Sequence, residues 1–469
     1  MDAVIESSKQ SNQGTDELLR CLRTRETSVA VWGTGAIGSS ATFHFARAGF
    51  RLIGYDISAE RVKEVQEGRF QSTAAQMLGD EVKTHPDLGV SATTKWRDLN
   101  TQRVAVHLVC VPTERAAEPS GAALADVVPR VARVVKKTKI AGIPPIVSIE
   151  STILPSWIDE IVIPGLESEG LTVGDNVLLG AAPRRDWFNG ASHTIENLPR
   201  IVGGCDERTT ILLAAFYATV CEVVQPAMDA QHAAFTKVIE NVVRYEGITF
   251  GNRLALAFPR YDMRHVLGLA STKWNIPYYF PSFGIGGHCI PLAPQYLVKE
   301  GGEANHYLDS VRDSIAFNDG YFSNLYADRL RQLLAGKRSV GVLGLAYTPD
   351  AKMHKLSPAF DVLETLRDTP RLLLHDPFYS ADEIYDLCSV PKLHVPDDIA
   401  DCDALILVTA HTDYVDLEIE NLVHSGTVII DSTGAWTDRR FPEGVEYYEV
   451  GRVRGRPGPV AEPHSSTAD

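Results

Sequence analysis

The sequence alternates short apolar runs with segments that are compatible with helices. Each run has the length of one buried strand, and a strand that is apolar throughout is typical of a sheet covered on both faces. Buried strands alternating with helices are the pattern of a doubly wound parallel sheet. We therefore predict an α/β domain of this type over residues 27–225. Its apolar runs occupy residues 28–32, 51–55, 104–111, 145–149, 177–182 and 200–203.

The strand pattern stops after residue 225. Long helical segments rich in Ala, Leu and aromatic residues follow, with a loop at 275–289, and predict a helical central domain over residues 226–335. Strand-like runs return at Ser339 and predict a second nucleotide-binding-like sheet domain over residues 336–450. Its runs begin at residue 339 and continue at 371–375, 404–408 and 428–430, with a helix near 360–366.

The two ends of the chain lack this patterning. Residues 1–16 are polar and have no apolar core that would suit a signal peptide, and we assign residues 1–26 to an N-terminal tail. Residues 451–469 are rich in Arg, Gly, Pro and Ser. They carry too little apolar surface to offset the entropy of ordering them, so we predict a disordered tail.

Charge and cysteine content narrow the class of function. The 45 Lys and Arg against 60 Asp and Glu give a net charge of −15, which argues against general attraction to nucleic acid or anionic membranes. The seven cysteines are an odd number without CxxC pairs, so we expect no disulfide framework and no metal site. No run of about 18 apolar residues appears. We expect a cytoplasmic protein without nucleic-acid or membrane partners.

A dinucleotide fingerprint follows the first predicted strand. The turn Gly33-Thr34-Gly35-Ala36-Ile37-Gly38 opens a predicted helix, and Asp56 ends the second strand 18 residues beyond Gly38. Such glycines permit a tight turn and close approach of the backbone to a pyrophosphate, while the helix N-terminus supplies amide donors. A carboxylate at Asp56 would bind the ribose hydroxyls of NAD and repel the extra phosphate of NADP. The cofactor predicted is NAD.

One cysteine lies in an unusual setting. Cys289 belongs to the glycine-rich stretch Phe283-Gly284-Ile285-Gly286-Gly287-His288-Cys289, in which the backbone can approach a substrate and a thiol can reach it. His288 could help favour the thiolate. The usual role of a free cysteine is that of a small buried hydrophobe, and we apply that interpretation to the other six.

Polar residues also recur on one predicted helix. Lys237 and Asn241 lie four residues apart, on one helix face, with Arg244 a turn further on. Alone, such a face is more often simply solvated.

Taken together, these residues resemble those of the UDP-glucose/GDP-mannose dehydrogenase family, and most of all its branch that acts on N-acetylated UDP-hexosamines. The resemblance covers about residues 28–450. Besides the motifs above, its markers are Cys110-Val111-Pro112-Thr113, Glu150-Ser151-Thr152, Pro199 to Gly204, Phe317-Asn318-Asp319, Gly344 to Tyr347, Ser357-Pro358-Ala359 and His375-Asp376-Pro377.

The resemblance implies NAD in the first domain, a helical dimerising centre, and a C-terminal domain that holds the nucleotide of the sugar. It also implies that Cys289 attacks an aldehyde formed by a first oxidation, and that a second oxidation and hydrolysis give a carboxylate. The implied catalytic residues are Cys289, Lys237, Asn241, Thr113, Glu150 and Thr152. The implied cofactor-binding residues are Gly33, Gly35, Ala36, Ile37, Gly38, Asp56, Arg61, Val111, Pro112, Thr113 and Thr152. The implied substrate-binding residues are Arg185, Lys237, Asn241, Arg244, Phe283, Gly284, Gly286 and Tyr347.

The chain departs from the family pattern at several positions. Ala293 stands where the family has an aspartate four residues after the cysteine, so the carboxylate expected to assist water or proton transfer is absent. Phosphate-side or sugar-side positions are changed as well. These are Thr348 for a lysine, Lys355-Leu356 for Arg-Glu, Thr433 for an arginine, Arg184 for a glutamate, and Glu114 for a proline.

Three functions remain open. The first is the four-electron oxidation of a primary alcohol of a nucleotide-linked sugar to a carboxylate. The second is a single two-electron oxidation to a ketone or aldehyde, which needs neither a thioester nor a hydrolytic water and which Ala293 favours. The third is a sensor that binds NAD or a nucleotide sugar without turning it over, against which the intact Gly-Gly-His-Cys-Ile-Pro segment argues.

Overall fold

The computed structural model describes residues 15–69, 89–101, 103–138, 144–185, 194–302 and 304–452. Packing divides the chain into two units. The first holds the chain up to Val242 together with Leu292–Leu308, and the second holds Val243–Pro291 and the chain from Asp309 onward.

An eight-stranded sheet forms the centre of the first unit, in the order β10-β9-β8-β7-β4-β1-β2-β3. Neighbouring strands run parallel, except that β9 is antiparallel to β8. Strands β5 and β6 pair as a separate antiparallel hairpin. The strands are β1 (Ser28–Trp32), β2 (Arg51–Tyr55), β3 (Val90–Thr93), β4 (Val104–Val109), β5 (Glu114–Arg115), β6 (Glu118–Pro119), β7 (Ile146–Ile149), β8 (Leu178–Ala181), β9 (Arg200–Gly204) and β10 (Val224–Pro226).

The predicted α/β sheet is confirmed, with one difference in strand direction. The sequence placed 200–203 in a strand of the parallel sheet, and β9 is instead antiparallel to its neighbour β8. The physical reason is that an apolar run shows that a strand is buried but carries no information about its direction, since side chains alternate identically either way.

Helices cover the first sheet. They are α1 (15–24), α2 (Ala36–Arg47), α3 (Ala59–Gln66), α4 (Ala122–Lys137), α5 (Ile163–Glu167) and α6 (Glu207–Tyr217), with shorter turns at Trp96–Thr101, Ile158–Val162 and His306–Leu308. Side-chain caps begin two of them, because Ser58 accepts from the Arg61 amide at α3 and Asp206 from the Thr209 amide at α6. The core includes Phe45 and Phe216, whose stacked rings have centroids 4.3 Å apart.

Parts of the two predicted tails are ordered. Within residues 1–26, helix α1 buries Leu18 and Leu22 in the core of the first unit, and the residues before 15 lie outside the described ranges. At the other end, Arg452 pairs with Asp262 and Glu449. The predicted disordered tail beyond residue 452 lies outside the described residues.

The central region is helical, as predicted. Its helices are α7 (Ala230–Ala257), α8 (Met263–Ser271), α9 (Cys289–Gly301), α10 (Asp309–Tyr321) and α11 (Ala327–Leu333), and the segment Phe322–Tyr326 joins the last two as a wider helical turn. Two of the three boundaries between the packing units fall within α7 and α9, and the third lies between Leu308 and Asp309.

A five-stranded parallel sheet forms the centre of the second unit, in the order β12-β11-β13-β14-β15. Its alternate residues face two apolar layers, one with Val342 and Ile406 and the other with Leu343 and Leu405, so the sheet is covered on both faces as predicted. The elements are β11 (Ser339–Leu343), β12 (Arg371–His375), β13 (Ala404–Leu407), β14 (Val428–Asp431), β15 (Glu446–Glu449), α12 (Pro358–Thr365), α13 (Ala381–Cys388) and α14 (Thr412–Val415), with turns at Ile399–Asp401 and Ile419–Asn421.

Across the described ranges, no helix combines the length and the apolar character that crossing a membrane requires.

Candidate active site

The carboxyl ends of four neighbouring strands form one edge of the first sheet. Strand β1 leads into the glycine turn, β2 into Asp56, β4 into Cys110 to Thr113, and β7 into Glu150 to Thr152. Ligands of open α/β sheets bind outside this edge. Most of the predicted cofactor residues therefore share one location.

The glycine turn has the shape that a dinucleotide requires. A Cβ at Gly33 would lie 2.7 Å from the Cys110 carbonyl oxygen, and one at Gly38 would lie 1.8 Å from the Gly33 carbonyl oxygen. At Gly35, by contrast, a Cβ would meet no heavy atom within 4 Å. Gly33 and Gly38 thus let strand, turn and helix pack closely, whereas Gly35 leaves open space beside the N-terminus of α2. A pyrophosphate fits there, in reach of the amides of Ala36 and Ile37.

Backbone amides of the glycine turn and of the segment after β2 fix the Asp56 carboxylate. Its carboxylate accepts hydrogen bonds from the amides of Thr34 at 2.7 Å and Ser58 at 2.9 Å. A carboxylate has about four acceptor positions, so oxygen lone pairs remain for ribose hydroxyls. The guanidinium of Arg61, one turn into α3, lies 3.4 Å from Glu64. The structure thus fits NAD at the site that the sequence indicated.

Thr113 and Thr152 meet, although they follow different strands. The Thr113 hydroxyl donates to the Thr152 carbonyl oxygen at 2.6 Å, and the neighbouring Ser151 hydroxyl donates to the Val111 carbonyl oxygen at 2.6 Å. The Tyr296 hydroxyl bonds to Thr113 as well. The loop that contains Val111, Pro112 and Thr113 is therefore fixed against the loop after β7.

Glu150 has a different environment from the one that the resemblance implied. Its carboxylate is fully buried, pairs with the guanidinium of Arg200 and accepts a hydrogen bond from the Tyr217 hydroxyl. Burial, together with the Glu150 charge, raises the pKa of Tyr217 well above its usual range. Each carboxylate oxygen thus has a partner inside the unit, and these contacts fix Glu150 beside the loop after β7. Its catalytic role stays a prediction.

Helix α7 presents Lys237 and Asn241 one turn apart, as their spacing predicted, with Arg244 three residues further on. Asn241 is buried and Lys237 half-buried. Among the described residues, neither side chain has a hydrogen-bond partner. The Asn241 amide is not among the fully buried polar atoms, so it is accessible to a polar ligand.

Two adjacent arginines after β8 have different partners. Arg185 forms an ion pair with Glu240 on α7 and donates to the Pro199 carbonyl oxygen. Arg184, which stands in place of a glutamate, is buried and donates to the Ser40 hydroxyl at 3.0 Å and to the Ile37 carbonyl oxygen at 3.4 Å. This departure thus brings a positive charge to the first turns of α2.

In the second unit, Cys289 is the first residue of α9 and is exposed. The positive end of a helix dipole stabilises negative charge at such a sulfur. The other exposed thiol, Cys205, is different, because partial desolvation and the carboxylates of Asp206, Asp159 and Asp229 raise its pKa to about 12.

Burial raises the pKa of the other thiols, which belong to Cys21, Cys110, Cys221, Cys388 and Cys402. Among the seven cysteines, Cys289 alone combines exposure with a helix N-terminus.

The glycine loop before Cys289 packs on Tyr347. A Cβ at Gly286 would lie 2.5 Å from the Tyr347 Cβ, and one at Gly287 would lie 2.7 Å from its ring. The Gly287 amide donates to the Lys355 carbonyl oxygen at 3.0 Å. Burial and the neighbouring charge of Cys289 raise the pKa of Tyr347 to about 12. Tyr347 therefore stays a neutral hydroxyl beside the cysteine.

A cavity of about 220 Å³ lies at the carboxyl edge of the second sheet. The loops after β11, β13 and β14 form its walls together with the segment that precedes Cys289. Four predicted substrate residues line the cavity: Phe283, Gly284, Gly286 and Tyr347. Arg264 and Ser432, which the sequence did not indicate, line it as well.

Arg264 holds the walls of this cavity together. Its buried guanidinium donates to the carbonyl oxygens of Pro281, Ser432 and Thr433 at 2.6 to 2.7 Å and pairs with Glu449 at 3.0 Å. The sequence did not single out Arg264 because an arginine in an amphipathic helix usually faces solvent.

Ala293 lies in α9, about one turn after Cys289, and is buried. Thr433 and Thr348, two further departures, differ in position. Thr433 lines the cavity, and its side chain is held by Asp431 at 2.7 Å, whereas Thr348 is buried and is not among the cavity residues.

The fold and the glycine turn define a dinucleotide-binding protein, and Cys289 adds an accessible thiol beside a cavity. Comparison with known sequences identifies the particular family. Residues 27–221 match the NAD binding domain of the UDP-glucose/GDP-mannose dehydrogenase family, residues 231–320 its central domain, and residues 341–438 its UDP binding domain. The chain belongs to this family. The predicted cofactor, NAD, and the assignment to NAD-dependent oxidoreductases are thereby confirmed.

Known relatives agree with this assignment. UDP-N-acetyl-D-glucosamine 6-dehydrogenase of Pseudomonas aeruginosa is 25% identical over 410 residues, which cover 85% of this chain and 94% of the relative. The structure of UDP-D-ManNAc dehydrogenase from Pyrococcus horikoshii superposes with a TM-score of 0.75 at 23% identity, covering 91% and 99% of the two chains. A UDP-glucose dehydrogenase structure from Pyrobaculum islandicum has a TM-score of 0.77 at 21% identity, covering 91% and 98%. The two structures support the fold.

Proposed function

We propose that the protein oxidises the primary alcohol of a UDP-linked hexose or N-acetylhexosamine to a carboxylate through a covalent adduct on Cys289. The observation that carries the proposal is the position of Cys289, an exposed thiol at a helix N-terminus beside the cavity of the second unit. Relatives named for UDP-N-acetyl-D-glucosamine and UDP-N-acetyl-D-mannosamine support the substrate class.

The nucleotide of the sugar would bind in the cavity at the carboxyl edge of the second sheet. Its volume of about 220 Å³ suits part of a nucleotide, and the match to a UDP binding domain supports this choice. The backbone of Gly284 and Gly286 would allow close approach from the side that leads to Cys289.

NAD would lie on the glycine turn, with Asp56 at its ribose and Val111, Pro112 and Thr152 beside it. When bound, one NAD supplies the hydride acceptor for one two-electron oxidation, so two NAD molecules would be used in turn for the two oxidations. Thr113 would hold the alcohol that is oxidised first, since its hydroxyl oxygen can accept a hydrogen bond from the sugar's hydroxyl. The proton that this hydroxyl loses on oxidation would pass to water.

The Cys289 sulfur would then attack the aldehyde carbon. A carbon–sulfur bond forms, and the carbonyl oxygen gains negative charge, which the Lys237 ammonium and the Asn241 amide would stabilise. The second oxidation converts this thiohemiacetal to a thioester. Attack by water breaks the carbon–sulfur bond, releases the thiolate and leaves a carboxylate and two protons.

The hydrolytic step is where this chain differs from its family. Ala293 places a buried methyl group at the position of the expected carboxylate, so activation of water would rest on other groups. This observation favours a second candidate, a single oxidation that ends at a carbonyl. The third candidate, a sensor without turnover, would keep both binding sites and form no NADH.

We also propose a homodimer. Exposed apolar side chains concentrate between residues 243 and 280, where Phe250, Leu269 and Trp274 are 61%, 59% and 92% exposed. A concentration of this kind marks an interface, and a second copy of the chain is its simplest occupant. Light scattering should give about twice the 51.4 kDa chain mass. Phe250→Glu should yield a monomer, whereas Tyr385→Glu, a change at an equally exposed residue of α13, should not.

The decisive experiment counts NADH per sugar consumed. Purified protein receives NAD and limiting UDP-, GDP-, ADP- or TDP-linked sugars, and each reaction runs to exhaustion. Two equivalents with a new carboxylate support the proposal. One equivalent supports oxidation to a carbonyl, and no NADH with retained binding supports the sensor.

A further inference from the structure

Tyr296 has its ring and its hydroxyl in different environments. The ring is buried on α9, with its centroid 6.2 Å from that of Trp157. The hydroxyl bonds to the carbonyl oxygen of Thr113 and lies 3.1 Å from the Thr113 hydroxyl oxygen. The ring by itself is sufficient for packing against Trp157, so the hydrogen bond of the hydroxyl is a separate contribution.

The second half of α9 is fastened to the same part of the first unit by further contacts. The Lys299 ammonium donates to the Pro119 carbonyl oxygen at 2.9 Å, and the Glu300 carboxylate accepts from the Ser156 amide at 3.1 Å. These contacts hold the helix in place independently of the Tyr296 hydroxyl. Removing that hydroxyl should therefore leave α9 where it is.

The hydrogen atoms around Thr113 determine what its hydroxyl can do. Its one proton is donated to the Thr152 carbonyl oxygen. Its carbonyl oxygen accepts from both the Ser120 amide and the Tyr296 hydroxyl. Because its own proton is donated, the Thr113 hydroxyl oxygen can only accept, and the Tyr296 hydroxyl oxygen at 3.1 Å occupies one side of it.

We propose that Tyr296 is a positioning residue of the oxidation, holding Thr113 so that its hydroxyl oxygen accepts a hydrogen bond from the sugar's alcohol. This inference rests on the proposed function. In this proposal Tyr296 sets the position of Thr113 for the first oxidation, and it does not bind NAD or the nucleotide.

A double-mutant cycle tests the proposal with wild type, Tyr296→Phe, Thr113→Ala and the double variant, using NAD and UDP-N-acetylglucosamine or UDP-N-acetylmannosamine. Loss of one hydrogen bond should lower kcat about tenfold in Tyr296→Phe, and the KM values should change less than about twofold. In the Thr113→Ala background the same change should have no further effect. Tyr245→Phe is the matched control, because Tyr245 is buried and donates to the Ser314 carbonyl oxygen at 3.2 Å.

Equal losses in both backgrounds, or an unchanged kcat, overturn the proposal, because Tyr296 would then act only through packing. If wild type forms no NADH from any sugar, the proposed function fails, and hydrogen exchange at the Ser120 amide decides about Tyr296. Faster exchange in Tyr296→Phe supports the positioning of Thr113, and unchanged exchange overturns it.

Discussion

The ring of Tyr347 lies against the backbone of Gly287, where a Cβ would come within 2.7 Å of the ring atom Cε2. Gly287 also has a φ of +94°, which favours glycine. The segment that leads to Cys289 is thus shaped by the close packing of glycine backbone on an aromatic side chain. Its conformation depends on the absence of side chains at these positions.

Gly286→Ala tests this packing. The new methyl group would lie 2.5 Å from the Tyr347 Cβ and 3.1 Å from the Leu356 carbonyl oxygen, so the loop must move. Overpacking of this kind costs about 1 to 3 kcal/mol, and we expect kcat/KM and the rate of Cys289 alkylation to change at least about tenfold. Gly268→Ala is the control, since its Cβ would have ordinary contact at 3.6 Å. Equal activity in the two variants would contradict the packing argument.

Cys289→Ser should abolish carboxylate formation, because a hydroxyl at this position is a far weaker nucleophile than a thiolate. We expect a loss of at least about a hundredfold, measured by chromatography of the sugar product. Cys205→Ser, at the other exposed cysteine, should behave as wild type. Undiminished carboxylate formation in Cys289→Ser would exclude the thioester route, and retained formation of a carbonyl product would identify the two-electron reaction.

Asp56→Asn should weaken the preference for NAD over NADP. The substitution keeps an oxygen for the Thr34 amide but removes the negative charge that favours ribose hydroxyls and repels a phosphate. The ratio of kcat/KM values for the two cofactors should fall about tenfold. Glu60→Gln, at an exposed acid in the first turn of α3, should leave the ratio unchanged. Equal ratios for wild type and Asp56→Asn would show that Asp56 does not select the cofactor.

Arg264→Lys should raise the KM for the nucleotide sugar. Lysine cannot reproduce the planar set of donors that reaches Pro281, Ser432 and Thr433, so the cavity walls lose shared anchors. Losing two such bonds should cost about 2 kcal/mol of stability and raise KM about tenfold, with the KM for NAD unchanged. The matched control is Arg260→Lys at an exposed position. Steady-state kinetics that show no difference between the two variants would remove Arg264 from the substrate site.

The pH dependence of stability should reflect His107. Complete burial lowers its pKa to about 3, against about 6.5 in an unfolded chain. Between these values the unfolded chain binds a proton that the folded chain does not. Stability should therefore fall by about 1.4 kcal/mol per unit as the pH drops from about 6.5 toward about 3.

His107→Gln should flatten this dependence. It keeps an acceptor for the Trp32 indole, which now donates to Nδ1 at 3.1 Å, and removes the titrating group. Urea unfolding at about pH 5 and about pH 7 measures the slope. His265→Gln, at an exposed histidine, should keep the wild-type slope. A steep slope that persists in His107→Gln would assign the acid sensitivity to other groups.

Local sequence determined the elements and the two chemical centres of this protein. The turn from Gly33 to Gly38 and the loop from Phe283 to Cys289 are contiguous, and their glycines specify a backbone shape over a few residues. The apolar runs likewise predicted most strands of the two sheets, because burial on two faces leaves a signal within each strand. They did not predict β3, β10 and β15, which lie at the sheet edges and are not apolar throughout. Other conclusions stay predictions. These are the dimer, the cytoplasmic location and the individual roles of Cys289, Lys237, Asn241 and Thr113.

Only the tertiary structure decided which distant residues meet. The sequence did not indicate that Glu150 pairs with Arg200 and accepts a hydrogen bond from Tyr217, and its catalytic role stays a prediction. Tyr296 reaches Thr113 across 183 positions, and Arg264 reaches Ser432 across 168. The physical reason is that periodicity and turn chemistry act between near neighbours in the chain. The partner of a buried polar group depends instead on how completed helices and strands pack, which no local pattern encodes.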